Sequence, residues 1–226
     1  DVLPIVRTFF DRPPLFIFSG DVGTGKTALA ETFGDALARN LNLSITLYSL
    51  SLNTRGTGVV GQMTTLLPAA FASVKEEAKK GLVKGKRPTK GVIFLIDEAD
   101  ALAQSREFSQ MHHEDRAGVN ALIRGIDTLA AERLPVVVIM CTNRVDALDP
   151  AVRRRAAEIF QFERPSDLQR VRVLRDGLAG SALTDEQFSL LAKATGPTAD
   201  RKYGCTYSDL TQRLLPTFIL DAFPDR

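Results

Sequence analysis

The sequence predicts an α/β domain on a parallel five-stranded sheet sandwiched by helices, followed by a small all-helical segment. Three observations carry this prediction. Short apolar runs alternate with stretches of helical periodicity over residues 1–165, the pattern of strands joined by crossover helices. The strand signal then stops, and three helical stretches occupy residues 166–226. The first apolar run passes straight into a glycine-rich stretch and then a helical one, giving the order strand, loop, helix. The domain boundary is therefore placed near residue 165, between a sheet domain over 1–165 and a small helical lid over 166–226.

Each element has its own warrant. "LFIFSG" (15–20), "SITLYSLS" (44–51), "GVIFLID" (91–97), "PVVVIMCTN" (135–143) and "EIFQFERP" (158–165) are short, rich in β-branched or aromatic residues, and bounded by turn residues. "KTALAETFGDALARN" and "DRAGVNALIRGIDTLAAE" place apolar residues at helical spacing. So do "SDLQRVRVLRDGLAG", "TDEQFSLLAKATG" and "YSDLTQRLLPTFILDAF". Ser166 and Thr184 are candidate N-caps, each with a glutamine three residues later (Gln169 and Gln187), as in a capping box. "KKGLVKGKRPTKG" (79–91) reads as a basic loop. "FSQMHHEDRAG" reads as a polar one, in which adjacent His112 and His113 cannot project together as metal ligands.

Composition narrows the class. At 226 residues and 44% hydrophobic, the chain can bury a sizeable core, and 25% charged residues argue against disorder. Twenty-nine basic against 27 acidic residues give a formal charge of +2, so neither nucleic acid nor a membrane surface is expected as a partner. No run is long and apolar enough to span a bilayer. Cys141 and Cys205 have no metal-type spacing and fit free thiols in a reducing, cytoplasmic compartment. The chain opens at Asp1 without a methionine, so further sequence upstream is expected.

"GDVGTGKT" carries the first chemistry: Gly20, Asp21, Val22, Gly23, Thr24, Gly25, Lys26 and Thr27 fit G-x-x-x-x-G-K-[ST]. The glycines permit a tight nest of backbone N–H groups around phosphate. Lys26 can reach the outer phosphates and the Thr27 hydroxyl can ligate Mg²⁺. The helix beginning near Lys26, with Ala28 in its first turn, points its positive end at the anion. ATP and Mg²⁺ are the expected ligands.

"GVIFLIDEAD" supplies the second half, because a parallel strand's carboxyl end faces the ligand crevice. Asp97 is the candidate Mg²⁺ ligand, and Glu98 the candidate that polarises water for attack on the γ-phosphate. Alone, such a pair could be two solvated carboxylates. Asp100 reads as a cap or a surface charge. Asn143 ends the fourth apolar run, where its amide can bond γ-phosphate and attacking water, although an isolated Asn there is usually a turn residue. Arg153, Arg154 and Arg155 form either a solvated basic face or the source of an arginine offered to a neighbouring subunit's site.

With these motifs in order, the chain resembles an AAA+ ATPase module. "GDVGTGKT" matches its Walker A motif, "VIFLIDEAD" its Walker B motif, "CTN" its sensor-one strand, with Asn143 as the asparagine, and "DPAVRRR" its arginine-finger region. The resemblance implies a ring, usually a homo-hexamer, with ATP sites at subunit boundaries. In "RAAEIFQF" Arg155 is retained and Glu158 stands where a second finger would fall. Arg155 best matches the finger, with Arg154 the runner-up. Together with "VNALIRGID" and "RLLPTFILDAF", that single-finger pattern is similar to the pachytene-checkpoint ATPase family. The resemblance implies remodelling of HORMA-domain proteins and, for bacterial relatives, a place in cyclic-oligonucleotide anti-phage defence.

Two further positions follow from the resemblance. Sensor two would be an arginine near the start of the last helix; here Ser208 and Asp209 stand near that place, with Arg213 a turn later, serving either that role or only as a surface residue. The pore loop of ring motors falls within "NTRGTGVVGQM", where Val59, Val60, Gly61 and Gln62 replace an aromatic–hydrophobic–Gly–Glu pattern, unless the stretch is an uncommitted turn. The expected function is an ATP-driven protein remodeller. Another AAA+ unfoldase or severing motor, and a nucleotide-switched DNA loader, are the alternatives.

Overall fold

The five apolar runs all become strands in the computed structural model, which describes residues 13–51, 63–85, 87–102 and 113–222. They are β1 (Leu15–Gly20), β2 (Ser44–Ser51), β3 (Lys90–Asp97), β4 (Val136–Thr142) and β5 (Ala156–Phe162). The fifth begins two residues before its expected start and ends three before its expected end. Pro165 has no N–H to give a ladder, so pairing stops short of it. The sheet runs in the order β2-β3-β4-β1-β5. Parallel pairing joins β2 to β3, β3 to β4 and β4 to β1. The central strands β3, β4 and β1 are buried almost throughout, whereas edge strand β2 is partly exposed along its length. This is the burial expected of a parallel sheet covered on both faces.

Helices α1 (Lys26–Leu41), α2 (Met63–Lys80) and α3 (His113–Ala131) connect the strands, and a short α4 (Pro150–Arg153) precedes β5. Helix α3 starts at His113, so half of the expected polar histidine pair belongs to a helix. Of the basic 79–91 segment, Lys79 and Lys80 close α2 and Lys90 opens β3. Their ammonium groups pair with Glu132 and Glu77. The stretch holding Val59, Val60, Gly61 and Gln62 lies outside the described residues.

One core dominates. Leu67, Phe71, Val74 and Ala78 of α2 meet Leu122, Ile126 and Leu129 of α3 over Phe94, Ile96, Val138 and Met140 of the sheet. Their spacing of three and four residues is what turns one helix face inward. The Phe71 ring meets Phe94 edge-on at 5.1 Å.

By internal contacts the chain divides into two units: the chain up to Ser19 together with Thr27–Gln161, and Gly20–Lys26 together with the chain from Phe162 onward. The second unit has its own core of Leu174, Phe188, Ala192 and Leu215, on helices α5 (Asp167–Gly177), α6 (Asp185–Ala194) and α7 (Leu215–Ala222), joined by Leu210 of the turn that precedes α7. Both capping boxes form: the Ser166 N–H donates to Gln169 Oε1 at 2.9 Å and the Thr184 N–H to Gln187 Oε1 at 2.8 Å, each returned from the glutamine N–H. Arg170 is 3% exposed yet satisfied, donating to the carbonyls of Ala192 and Pro165 and to Asp167. A π-helical turn, Asp209–Leu214, leads into α7.

Gly125 of α3 faces Phe71 so closely that a Cβ there would lie 2.4 Å from the ring. The ring packs edge-on against Phe94, which limits how far it can give way. Gly125→Ala gains about 1 kcal/mol of helix propensity but overpacks the core at about 1–3 kcal/mol. We expect a net loss of stability, read as a lower urea midpoint with unchanged slope.

Candidate functional site

The phosphate loop is built by the turn from β1 into α1. Gly23 (φ 77°) and Gly25 (φ 94°) both adopt the left-handed backbone that lets successive N–H groups face one way. A Cβ on Gly25 would have no neighbour within 4 Å, so that side of the loop is open to a ligand. Lys26, only 7% exposed, folds over the loop and donates to the carbonyls of Gly20 and Asp21, both at 2.8 Å. The Thr24 hydroxyl donates to the Asp21 carbonyl at 2.8 Å, and the Asp21 carboxylate accepts from Arg164 at 2.8 Å. Val22 stands at the exposed tip. An ammonium, a helix N-terminus and aligned N–H groups form a donor set that fits polyphosphate.

The helical segment of the same unit reaches this loop through Ser208, whose N–H donates to the Gly23 carbonyl at 3.1 Å. Asp209 fixes that approach: its Oδ2 accepts from the Thr206 N–H and hydroxyl at 2.9 and 2.8 Å. These bonds, with a smaller contribution from Arg213, hold the Asp209 carboxyl below its ordinary pKa. Arg213 itself is largely exposed and lies 3.7 Å from Asp209.

The other unit holds the carboxylates. The Thr27 hydroxyl donates to Asp97 Oδ2 at 3.0 Å, setting two hard oxygens side by side. Such a pair fits Mg²⁺, which takes one or two protein oxygens and completes its octahedron with water and phosphate. The Glu98 N–H donates to Asp97 Oδ1 at 2.8 Å, and Glu98 has φ 53°, uncommon for a residue with a Cβ. Asp100 differs from its sequence expectation. Instead of a cap or surface charge, it accepts from Thr142, Asn143 and Arg144 at the end of β4. The sequence offered no signal for this beyond its place three residues after Asp97.

The arginines diverge. Helix α4 (Pro150–Arg153) is capped by Asp149, which accepts from the Ala151 N–H at 2.7 Å. Arg154 is exposed and donates to the Pro150 carbonyl at 3.2 Å. Arg155 makes a two-pronged pair with Asp127 at 2.7 and 2.9 Å and donates to the Ala151 carbonyl at 2.9 Å. Its hydrogen bonds to Asp127 raise its pKa.

A phosphate loop opening a parallel sheet, with Asp–Glu at the end of β3, defines a P-loop nucleotide hydrolase. The ATPase family associated with various cellular activities (AAA) matches residues 16–164, and the chain belongs to it. It is 55% identical to CD-NTase-associated protein 6 of Escherichia coli strain MS 115-1, over 99% of this chain and 72% of that protein. In three dimensions it is similar to a chain of the E. coli MS115-1 HORMA:CdnC:Trip13 complex, with a TM-score of 0.89 at 55% identity, covering 99% of this chain and 72% of that one. It is also similar to Rhizobiales Trip13, with a TM-score of 0.74 at 47% identity over 100% of this chain and 72% of that one. The chain is thus a nucleotide-binding ATPase.

A Cβ on Gly23 would lie 2.6 Å from Thr206 Oγ1 and 2.9 Å from Ser208 Cβ, on a backbone that side chains rarely adopt. Gly23→Ala must shift either the loop or the Thr206–Ser208 segment. We expect ATP to bind at least about tenfold more weakly, equivalent to about 1.4 kcal/mol, in a titration with fluorescent nucleotide.

Proposed function

We propose that the chain is the motor of a protein-remodelling ring, hydrolysing ATP to pull on a HORMA-type regulator and disassemble its signalling complex in anti-phage defence. The observation that carries the substrate is the likeness, over 99% of the chain, to a protein solved with a HORMA partner. The observation that carries the chemistry is the Thr27–Asp97 pair beside Glu98.

Lys26 and the N–H groups from Gly20 to Ala28 bind the phosphates. Thr27 and Asp97 would hold Mg²⁺, which would supply charge neutralisation on the phosphates. Glu98 accepts the proton of the attacking water as its oxygen bonds to γ-phosphorus, and ADP leaves. Asn143 orients that water.

Arg155 is assigned as the finger that reaches a neighbouring subunit's γ-phosphate. Three of its five N–H donors are spent on Asp127 and Ala151, which fix the guanidinium plane and leave two at the tip. Arg154, exposed, is the runner-up, and Arg213 is assigned to sensing nucleotide. The assembly is read as a homo-hexamer in the cytoplasm, with Val59, Val60, Gly61 and Gln62 gripping substrate in the channel through a small apolar pinch. Among the described residues, no helix is long and apolar enough to cross a membrane.

Glu98→Gln removes the base and keeps the shape. Hydrolysis should fall at least about 100-fold while ATP still binds, and the variant should retain a HORMA-type protein on a column in ATP. Hydrolysis stimulated by DNA and not by the HORMA-type protein would contradict the proposal.

A further inference from the structure

We propose that Asp100 is a positioning residue for hydrolysis: it fixes the side chain of Asn143 and acts through it, without touching the nucleotide. The inference rests on the reading of Asn143 as the group that orients the attacking water.

Four donors from three consecutive residues converge on this one carboxylate. Asp100 Oδ2 accepts from the Asn143 N–H at 3.1 Å and from Asn143 Nδ2 at 3.2 Å. Oδ1 accepts from the Thr142 hydroxyl and from the Arg144 N–H at 3.2 Å. The Thr142 hydroxyl also accepts from the Arg144 N–H at 3.1 Å, so the strand end is knitted from both sides. Thr142 is buried at 1% exposed, while Asn143 and Arg144 stand at the surface. A carboxylate that only capped its own turn would accept from residues close by in sequence. This one reaches 42–44 residues along the chain, to the tip of another strand.

The geometry bears on Asn143 specifically. An asparagine amide has two faces, oxygen and nitrogen, exchanged by rotation about its last torsion. Donation from Nδ2 to Asp100 selects one of them and turns the amide oxygen to the opposite side. The backbone N–H bond to the same carboxylate oxygen fixes the Cα beneath it. Charge-assisted bonds of this kind are roughly twice as strong as neutral ones.

The turn that delivers Asp100 is the turn that presents Glu98. Glu98 takes the left-handed backbone at φ 53°, which ends β3 and starts the 3-10 turn Ala99–Leu102. Ala99 then enters the core at 0% exposure, and Asp100 faces β4. The base and the water-orienting amide, which follow β3 and β4, are thereby referenced to the one short stretch from Glu98 to Asp100. Displacing a positioned group by about 1 Å can cost about 10²-fold in rate.

The test uses ATP turnover by the full-length protein. Asp100→Asn is nearly isosteric but sets an amide NH₂ among groups that are themselves donors. It should lower kcat about 10- to 100-fold and leave KM for ATP within about threefold. Asp100→Ala should do the same; if it fails to fold, the isosteric variant decides. In an Asn143→Ala background, Asp100→Asn should add less than about threefold, because the group it positions is gone. Asp100→Asn turning over at the wild-type rate overturns the inference while leaving the role of Asn143 intact. So does an undiminished drop in the Asn143→Ala background, which would mean that Asp100 acts on something else. Asn143→Ala turning over at the wild-type rate removes the reading of Asn143 and the inference with it.

Discussion

Parallel strand pairing is the constraint on which the rest depends. Because β2, β3, β4 and β1 pair in one direction, the chain leaves each strand at the same edge of the sheet. Chemistry-bearing residues far apart in sequence therefore gather without any dedicated scaffold. Asp97 closes β3, Thr142 closes β4, and Gly20 closes β1. The cost of a parallel sheet is that both faces must be covered, which the apolar faces of α2 and α3 do on one side over Phe94, Ile96, Val138 and Met140. The packed core is thus what holds the strand ends to tolerances useful for catalysis.

Within each unit, polar groups are used in pairs. Thr27 meets Asp97, Lys26 lies over two carbonyls of its own loop, and Asp100 collects the tip of β4. In the proposed mechanism, contacts of this kind would lessen the reorganisation needed when charge moves in the transition state. Asp127 applies the same logic to Arg155, whose guanidinium is held in plane by a two-pronged bond. The helical unit repeats it on a smaller scale, with Asp209 ordering Thr206 so that the Ser208 N–H meets Gly23.

Much of this was legible in the sequence because the signals are local. Apolar runs bounded by turn residues gave all five strands, and Ser166–Gln169 and Thr184–Gln187 gave both capping boxes. The phosphate loop was readable because glycine spacing and backbone conformation are coupled through φ, as at Gly23 and Gly25. What stayed hidden is non-local. The hydrogen bonds of Asp100 depend on the register of β3 against β4, and the Arg155–Asp127 pair spans 28 residues. Neither leaves a periodic trace. The end of β5 was overextended because its expected range ran on through the charged Glu163 and Arg164 to Pro165, which has no N–H to give a ladder.

The central claim, ATP hydrolysis spent on disassembling a protein complex, is tested most directly by watching the complex. A HORMA-type protein and its bound partner, each carrying a fluorophore, report dissociation as a loss of energy transfer. With this ATPase and ATP, the signal should decay many times faster than spontaneous dissociation, and a non-hydrolysable ATP analogue should leave the spontaneous rate unchanged. Equal decay with ATP, with the analogue and without nucleotide would contradict the account.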